Sequence, residues 1–237
     1  MPNGSMIGGT AGLLAAGGLL AYAARGRSST VFGPSVYHGN RARPAIALTF
    51  DDGPSESTPA LLQILAHHNV TATFFMCGKN VERLPGVARS VAAAGHEIGN
   101  HTDSHPRLDF CSADFIYREL AVAQEKILLH TGATPRLFRA PYGVRWFGLK
   151  SAQQRLGLLG VMWGTIGRDW KWPAPRVAKL FLDRARNGHI FCLHDGRTTE
   201  PAPDIATTLA AVEAIIPALK ERGLRFETVS QILCPMS

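Results

Sequence analysis

Two adjacent carboxylates carry the first chemical signal in this chain. Asp51 and Asp52 lie in the run Thr49-Phe50-Asp51-Asp52-Gly53-Pro54. On a strand-to-loop turn, neighbouring side chains point in different directions, so one can bind a metal while the other stays free as a base. The same residues also fit an ordinary Asp-Gly-Pro turn. A second cluster is His101-Thr102-Asp103-Ser104-His105. If that loop turns helically, both imidazoles face one ion. Two imidazoles and a carboxylate suit Zn²⁺ and leave positions open for water and substrate.

Three further clusters extend this chemistry. In Arg139-Ala140-Pro141-Tyr142-Gly143 the guanidinium can hold a catalytic carboxylate ionised, and the loop can bring a backbone N–H to a developing oxyanion. A structural salt bridge in a tight turn is the simpler alternative. The stretch from Trp163 to Trp172 contains Asp169, Trp170 and Lys171, and Trp170 is either a wall for a sugar ring or a core residue. In Leu193-His194-Asp195-Gly196 the imidazole could protonate a leaving group.

Positioning these groups requires a repeating scaffold, and the apolar pattern supplies one. Short runs at Ala45 to Phe50, Thr71 to Met76, His96 to Asn100, Leu137 to Arg139, Leu158 to Trp163, His189 to Leu193 and Leu224 to Val229 read as strands. Helical spacing separates them. One helix is expected from Val81 to Ala94, and another from Ser112 to Thr131 with Ile116, Leu120, Ala123 and Ile127 on one face. Strand and helix thus alternate about seven times, which predicts a parallel sheet wrapped by helices. No Gly-rich dinucleotide fingerprint follows the first strand. A distorted, TIM-barrel-like (β/α) barrel fits better, with functional residues at the C-terminal ends of its strands, where the clusters fall.

The chain has 237 residues, of which 46% are hydrophobic and 18% charged, enough for one sizeable globular domain. Its formal net charge of +7 favours acidic partners, but the Lys and Arg residues are scattered along the sequence. No basic patch interleaved with aromatics argues for nucleic acid. Cys77, Cys111, Cys192 and Cys234 form no CxxC pair, and Cys77 and Cys192 read as buried free thiols. Residues 1–25 read as an N-terminal membrane anchor or leader. Met6 to Ala24 is uncharged, and Arg25 and Arg27 follow it, which by the positive-inside rule leaves the domain on the cytoplasmic side. Residues 26–43, rich in Arg, Ser, Gly and Pro, read as a linker, and residues 44–237 as the functional domain.

The ordered set TFDDG, HTDSH, RAPYG, the Asp-Trp pair at Trp170, and LHDG resembles the polysaccharide deacetylases, the NodB-homology domain of carbohydrate esterase family 4. The resemblance covers roughly Pro44 to Leu233. It implies a distorted (β/α) barrel, commonly holding Zn²⁺ and sometimes another divalent metal such as Co²⁺. It implies Asp52, His101 and His105 as ligands, Asp51 as general base, Arg139 as its support and His194 as general acid. The Tyr142 backbone would help hold the oxyanion. The implied reaction removes acetyl groups from N-acetylated sugars such as chitin or peptidoglycan. O-deacetylation of a polysaccharide, action on a lipid-linked sugar, and a catalytically silent carbohydrate-binding domain are the alternatives. A membrane-associated or cell-envelope location follows from the anchor reading, with a cytoplasmic one as the alternative. One position departs from the family pattern: Ile166 stands where an Asp usually precedes the Asp-Trp pair by three residues. That departure predicts a catalytic His194 that holds its proton poorly, unless a carboxylate such as Asp169 substitutes.

Overall fold

The computed structural model describes residues 5–234; residues 1–4, and the side chains of residues 5–14, lie outside the description. A nine-stranded sheet runs in the order β1-β6-β5-β4-β3-β2-β8-β7, and β9 adds to β2. The strands are β1 (Ser35–Val36), β2 (Ala45–Gly53), β3 (Thr73–Met76), β4 (Glu97–Asn100), β5 (Leu137–Phe138), β6 (Leu159–Val161), β7 (Thr165–Ile166), β8 (His189–His194) and β9 (Arg225–Phe226). Every strand pairing is parallel. The sheet curls because one segment serves both of its margins. Residues of β6 pair with β5 and β1, and the chain continues directly into β7, which pairs with β8.

The expectation of about seven strands omitted β1 and β7, each two residues long. The linker assignment for residues 26–43 needs correction for the same reason. Ser35 and Val36 pair with Gly160 and Val161, His38 bridges to His189, and the N–H of Gly39 donates to Gly188 at 2.7 Å. This stretch is therefore wedged between β6 and β8. Phe32 is buried in the same region against Ala23, Ala24 and Trp146.

Side-chain alternation along β2 builds two layers. Ile46, Leu48 and Phe50 face outward and pack with Phe74, Phe191 and the helices in the main core. Ala45 and Ala47 face inward with Phe75, Leu137, Val161 and Ile190, and Val229 and Ile232 close the base. The helix α5 (Ala113–Thr131) buries Ile116, Leu120, Ala123 and Ile127, the face expected from their spacing. Ser112 caps it by accepting from the N–H of Phe115, and Gly132 ends it at φ 74°. The single helix expected over Val81 to Ala94 is instead two, α3 (Gly78–Arg83) and α4 (Pro85–Ala93). Pro85 forbids a helical conformation at Leu84, which sits at φ −128°, ψ 56°. At the N-terminus, α1 spans Ser5–Arg25 and exposes Leu19, Leu20 and Tyr22. Among the described residues no helix is long and apolar enough to cross a membrane.

Candidate active site

All five clusters meet at the C-terminal mouth of the barrel, around a cavity of about 440 Å³. Asp51, Asp52, His101, His105, Tyr142, Trp170 and His194 line it, and so does Ile166. A break in strand register explains how two consecutive carboxylates reach the same cavity. On a regular strand Asp52 would point away from Asp51. Between Asp51 and Gly53 the pairing with β3 shifts by one residue, and Asp52 takes a left-handed φ of 72°. This bulge turns its side chain back toward the mouth. Thr102, His105 and Tyr142 also hold positive φ, so the site stores backbone strain of about 1–3 kcal/mol per residue.

Asp52 Oδ1 lies 3.2 Å from His101 Nε2 and 3.0 Å from His105 Nε2. The three side chains form one buried group able to hold a metal ion. Their surroundings fit that role. His101 Nδ1 is 2.7 Å from the carbonyl of Arg139, which fixes its proton there and turns the Nε2 lone pair inward. Asp52 Oδ2 accepts from the N–H of Thr198 at 2.8 Å, while the buried Oδ1 has no hydrogen-bond partner. Burial opposes charge on Asp52, but the imidazoles of His101 and His105 hold it well below the usual carboxylate range. A buried, ionised, half-satisfied carboxylate facing two imidazole nitrogens is a donor set for a divalent cation.

Asp51 lies beside this triad on a separate support. Arg139 Nη1 donates to Asp51 Oδ1 at 2.7 Å and to Thr49 Oγ1 at 2.6 Å. Its Nε donates to the carbonyl of Val161 at 3.1 Å. Arg139 is fully buried, and its guanidinium lies over the Phe75 ring at 4.1 Å. The other oxygen, Asp51 Oδ2, is 3.4 Å from Cys192 Sγ. Cys77 and Cys192 are both buried free thiols, and burial pushes each well up.

Across the cavity, His194 Nδ1 lies 2.9 Å from Asp169 Oδ1, and its main-chain N–H donates to Asp169 Oδ2 at 2.9 Å. Thr208 Oγ1 also donates to Oδ2, at 2.5 Å. Burial of the ring disfavours its charge, but Asp169, followed by the negative charges of Asp52 and Asp51, outweighs burial and raises His194 to about 9. The condition attached to the Ile166 departure, a substituting carboxylate such as Asp169, is the one met here. Ile166 lines the cavity wall, and Asp169 carries the counter-charge. Trp170 stands edge-on to His194 at 4.8 Å and Tyr142 edge-on to His105 at 4.8 Å, both half exposed.

The sequence patterns left several groups unassigned. Asn80 Nδ2 donates to the carbonyls of Asp52, at 2.7 Å, and Thr198, at 2.9 Å, tying the ligand loop to the loop after β8. Arg197, Thr198 and Glu200 complete the cavity wall. The polar run Arg197-Thr198-Thr199-Glu200 directly after a strand end was the available signal.

Comparison with known proteins places the chain in a family. The family model described as polysaccharide deacetylase matches residues 38–161. The chain belongs to that family. It is 39% identical to the chitooligosaccharide deacetylase of Azorhizobium caulinodans, over 77% of this chain and 91% of that one. It is 35% identical to a peptidoglycan-N-acetylglucosamine deacetylase of Listeria monocytogenes, over 79% of this chain but 38% of that longer protein. Among solved structures, a peptidoglycan N-acetylglucosamine deacetylase in complex with an aromatic N-oxidanyl-benzamide superposes with a TM-score of 0.79 at 32% identity, covering 84% of this chain and 92% of that one. A CE4 family pseudoenzyme from Bacillus anthracis superposes with a TM-score of 0.78 at 25% identity, covering 86% and 70%.

Proposed function

We propose that this polysaccharide deacetylase hydrolyses the N-acetyl group of N-acetylglucosamine units in a glycan of the chitooligosaccharide or peptidoglycan type. The observation that carries this reading is one cavity with a divalent-metal donor set and an Arg-supported carboxylate on one side and a carboxylate-held imidazole on the other. Zn²⁺ suits two imidazoles and a carboxylate best, with Co²⁺ next. A metal held by Asp52, His101 and His105 would supply Lewis acidity to the acetyl carbonyl and lower the pKa of a water from about 16 to about 7. Asp51 then accepts the proton of the attacking water, with Arg139 keeping its carboxylate aimed. Charge develops on the acetyl oxygen near the Tyr142 turn. His194 donates its proton to the amide nitrogen, which leaves poorly otherwise. The products are acetate and the free amine.

The relatives' named substrates favour N- over O-deacetylation. A catalytically silent role drew its support from the Ile166 departure, and the His194–Asp169 pair offsets that. The exposed apolar side chains of α1 followed by Arg25 and Arg27 support contact with a membrane surface and an envelope location. The test is acetate release from chitooligosaccharides, peptidoglycan and acetylxylan, with zinc content measured on the same preparation. Release from acetylxylan alone would overturn the N-deacetylase reading, and release from none would return the silent one.

A further inference from the structure

The arginines that are scattered along the sequence converge at the base of the barrel. A second cavity, of about 640 Å³, is lined there by Arg27, Arg41, Arg184 and Arg186 together with His38 and His189. Among the described residues no carboxylate lines it. None of these four arginines forms a salt bridge among the described residues; the nearby acid in sequence, Asp183, is engaged by Lys179 at 2.9 Å. Arg27 is fixed in place, donating to the carbonyl of Gly164 and lying over the Tyr37 ring at 5.9 Å. The crowding has a local effect. His189 is depressed to about 4, first by burial and then by Arg186, Arg27, Arg184 and His38 acting on the same ring. Four cations kept around one hollow repel one another, and a multivalent anion is what relieves that repulsion.

This basin is separate from the catalytic cavity. The two share no lining residue. His189 begins β8 and His194 ends it, so the strand rise puts them about 17 Å apart on opposite faces of the barrel. We propose that the basin binds a phosphoryl or pyrophosphoryl group through Arg27, Arg41, Arg184 and Arg186. Several guanidinium forks suit an oxyanion with three or more acceptor oxygens better than a lone carboxylate. Both a free phosphate compound and an anionic phospholipid headgroup present this chemistry. The headgroup is favoured because α1, with Leu19, Leu20 and Tyr22 exposed, ends two residues before Arg27. Docked in this way, the enzyme would turn its catalytic mouth away from the lipid.

The test uses the full chain with pyrophosphate in calorimetry, and phosphatidylglycerol-containing against pure phosphatidylcholine vesicles in sedimentation. The variant is Arg184→Gln with Arg186→Gln, both exposed. Arg118→Gln with Lys150→Gln removes the same charge elsewhere. We expect saturable pyrophosphate binding that weakens about tenfold or more in the basin variant and little in the control. Phosphatidylglycerol-dependent sedimentation lost in the basin variant alone assigns the headgroup. Pyrophosphate binding lost there, with sedimentation unaffected, assigns a free phosphate compound. Absence of both kinds of binding, or equal weakening in basin variant and control, overturns the site. Acetate release from a soluble chitooligosaccharide should be unchanged in the basin variant, so this result stands apart from the deacetylase assay.

Discussion

Asp169 grips His194 at two points, its ring Nδ1 and its own main-chain N–H, each at 2.9 Å. The double contact fixes the ring's orientation as well as its charge. A proton is thereby held on the imidazole up to a pH of about 9, leaving Nε2–H as the donor toward the cavity. With the protonated ring as the proposed acid, activity should persist through neutrality and fall as pH rises through about 9.

Asp169→Asn removes the counter-charge while keeping the shape. The raised value should collapse toward that of an ordinary or buried imidazole, so the alkaline limb of kcat/KM moves to lower pH by about 1–3 units. The profile of kcat/KM against pH for both proteins on one soluble oligosaccharide measures it. Superimposable limbs would mean that another group sets the alkaline limb.

Asp51→Asn should lower kcat by about 10²- to 10⁴-fold, because the amide accepts no proton from water. Metal content should stay near that of the parent, since Asp52, His101 and His105 are untouched. Arg139 keeps an oxygen acceptor but loses its buried charge partner, so the melting temperature should fall as well. Elemental analysis, turnover and thermal denaturation on one preparation separate the three effects.

Asn80→Ala tests a residue that touches no expected metal ligand by side chain to side chain. Losing its bonds to the carbonyls of Asp52 and Thr198 frees the loop that donates to Asp52 Oδ2. Metal affinity should drop about 10- to 100-fold, as outer-shell losses commonly cause. Chelator competition reads the affinity, and kcat at saturating metal should recover most of its value.

Trp170→Ala should raise KM for a chitooligosaccharide about three- to tenfold, the loss of one aromatic stacking contact. Trp170→Phe should restore much of it. A KM unchanged in both variants would place the sugar on the Tyr142 side of the cavity.

Much of this site was legible because each motif ends a strand, and parallel strands deliver their ends to one mouth. Asp51, His101 and His194 follow directly from that rule. The turn of Asp52 into the same cavity needed the bulge, a one-residue register shift that no hydrophobic period encodes. Asp169 was legible as a substitute for the carboxylate missing at Ile166, but its double contact with His194 depends on how the backbone turns after β7, which no residue pattern encodes. The 26–43 stretch was misread on composition. Its sheet contribution runs through main-chain hydrogen bonds at Ser35 and Val36, which need no apolar run. The converging arginines come from three separated segments, so only the tertiary fold shows them as neighbours.

The wedge formed by residues 35–39 also bears on how this molecule behaves in solution. A chain begun at Pro44, where the motif resemblance starts, would strip the base of β6 and the start of β8 of partners. Ser35 and Val36 pair with β6, and His38 and Gly39 reach β8, so each side would be left with free N–H and C=O groups. Such raw margins recruit strands from other copies. The catalytic residues would all be present, yet the shortened protein should be prone to aggregate. Solubility would then depend on a segment that carries no catalytic side chain.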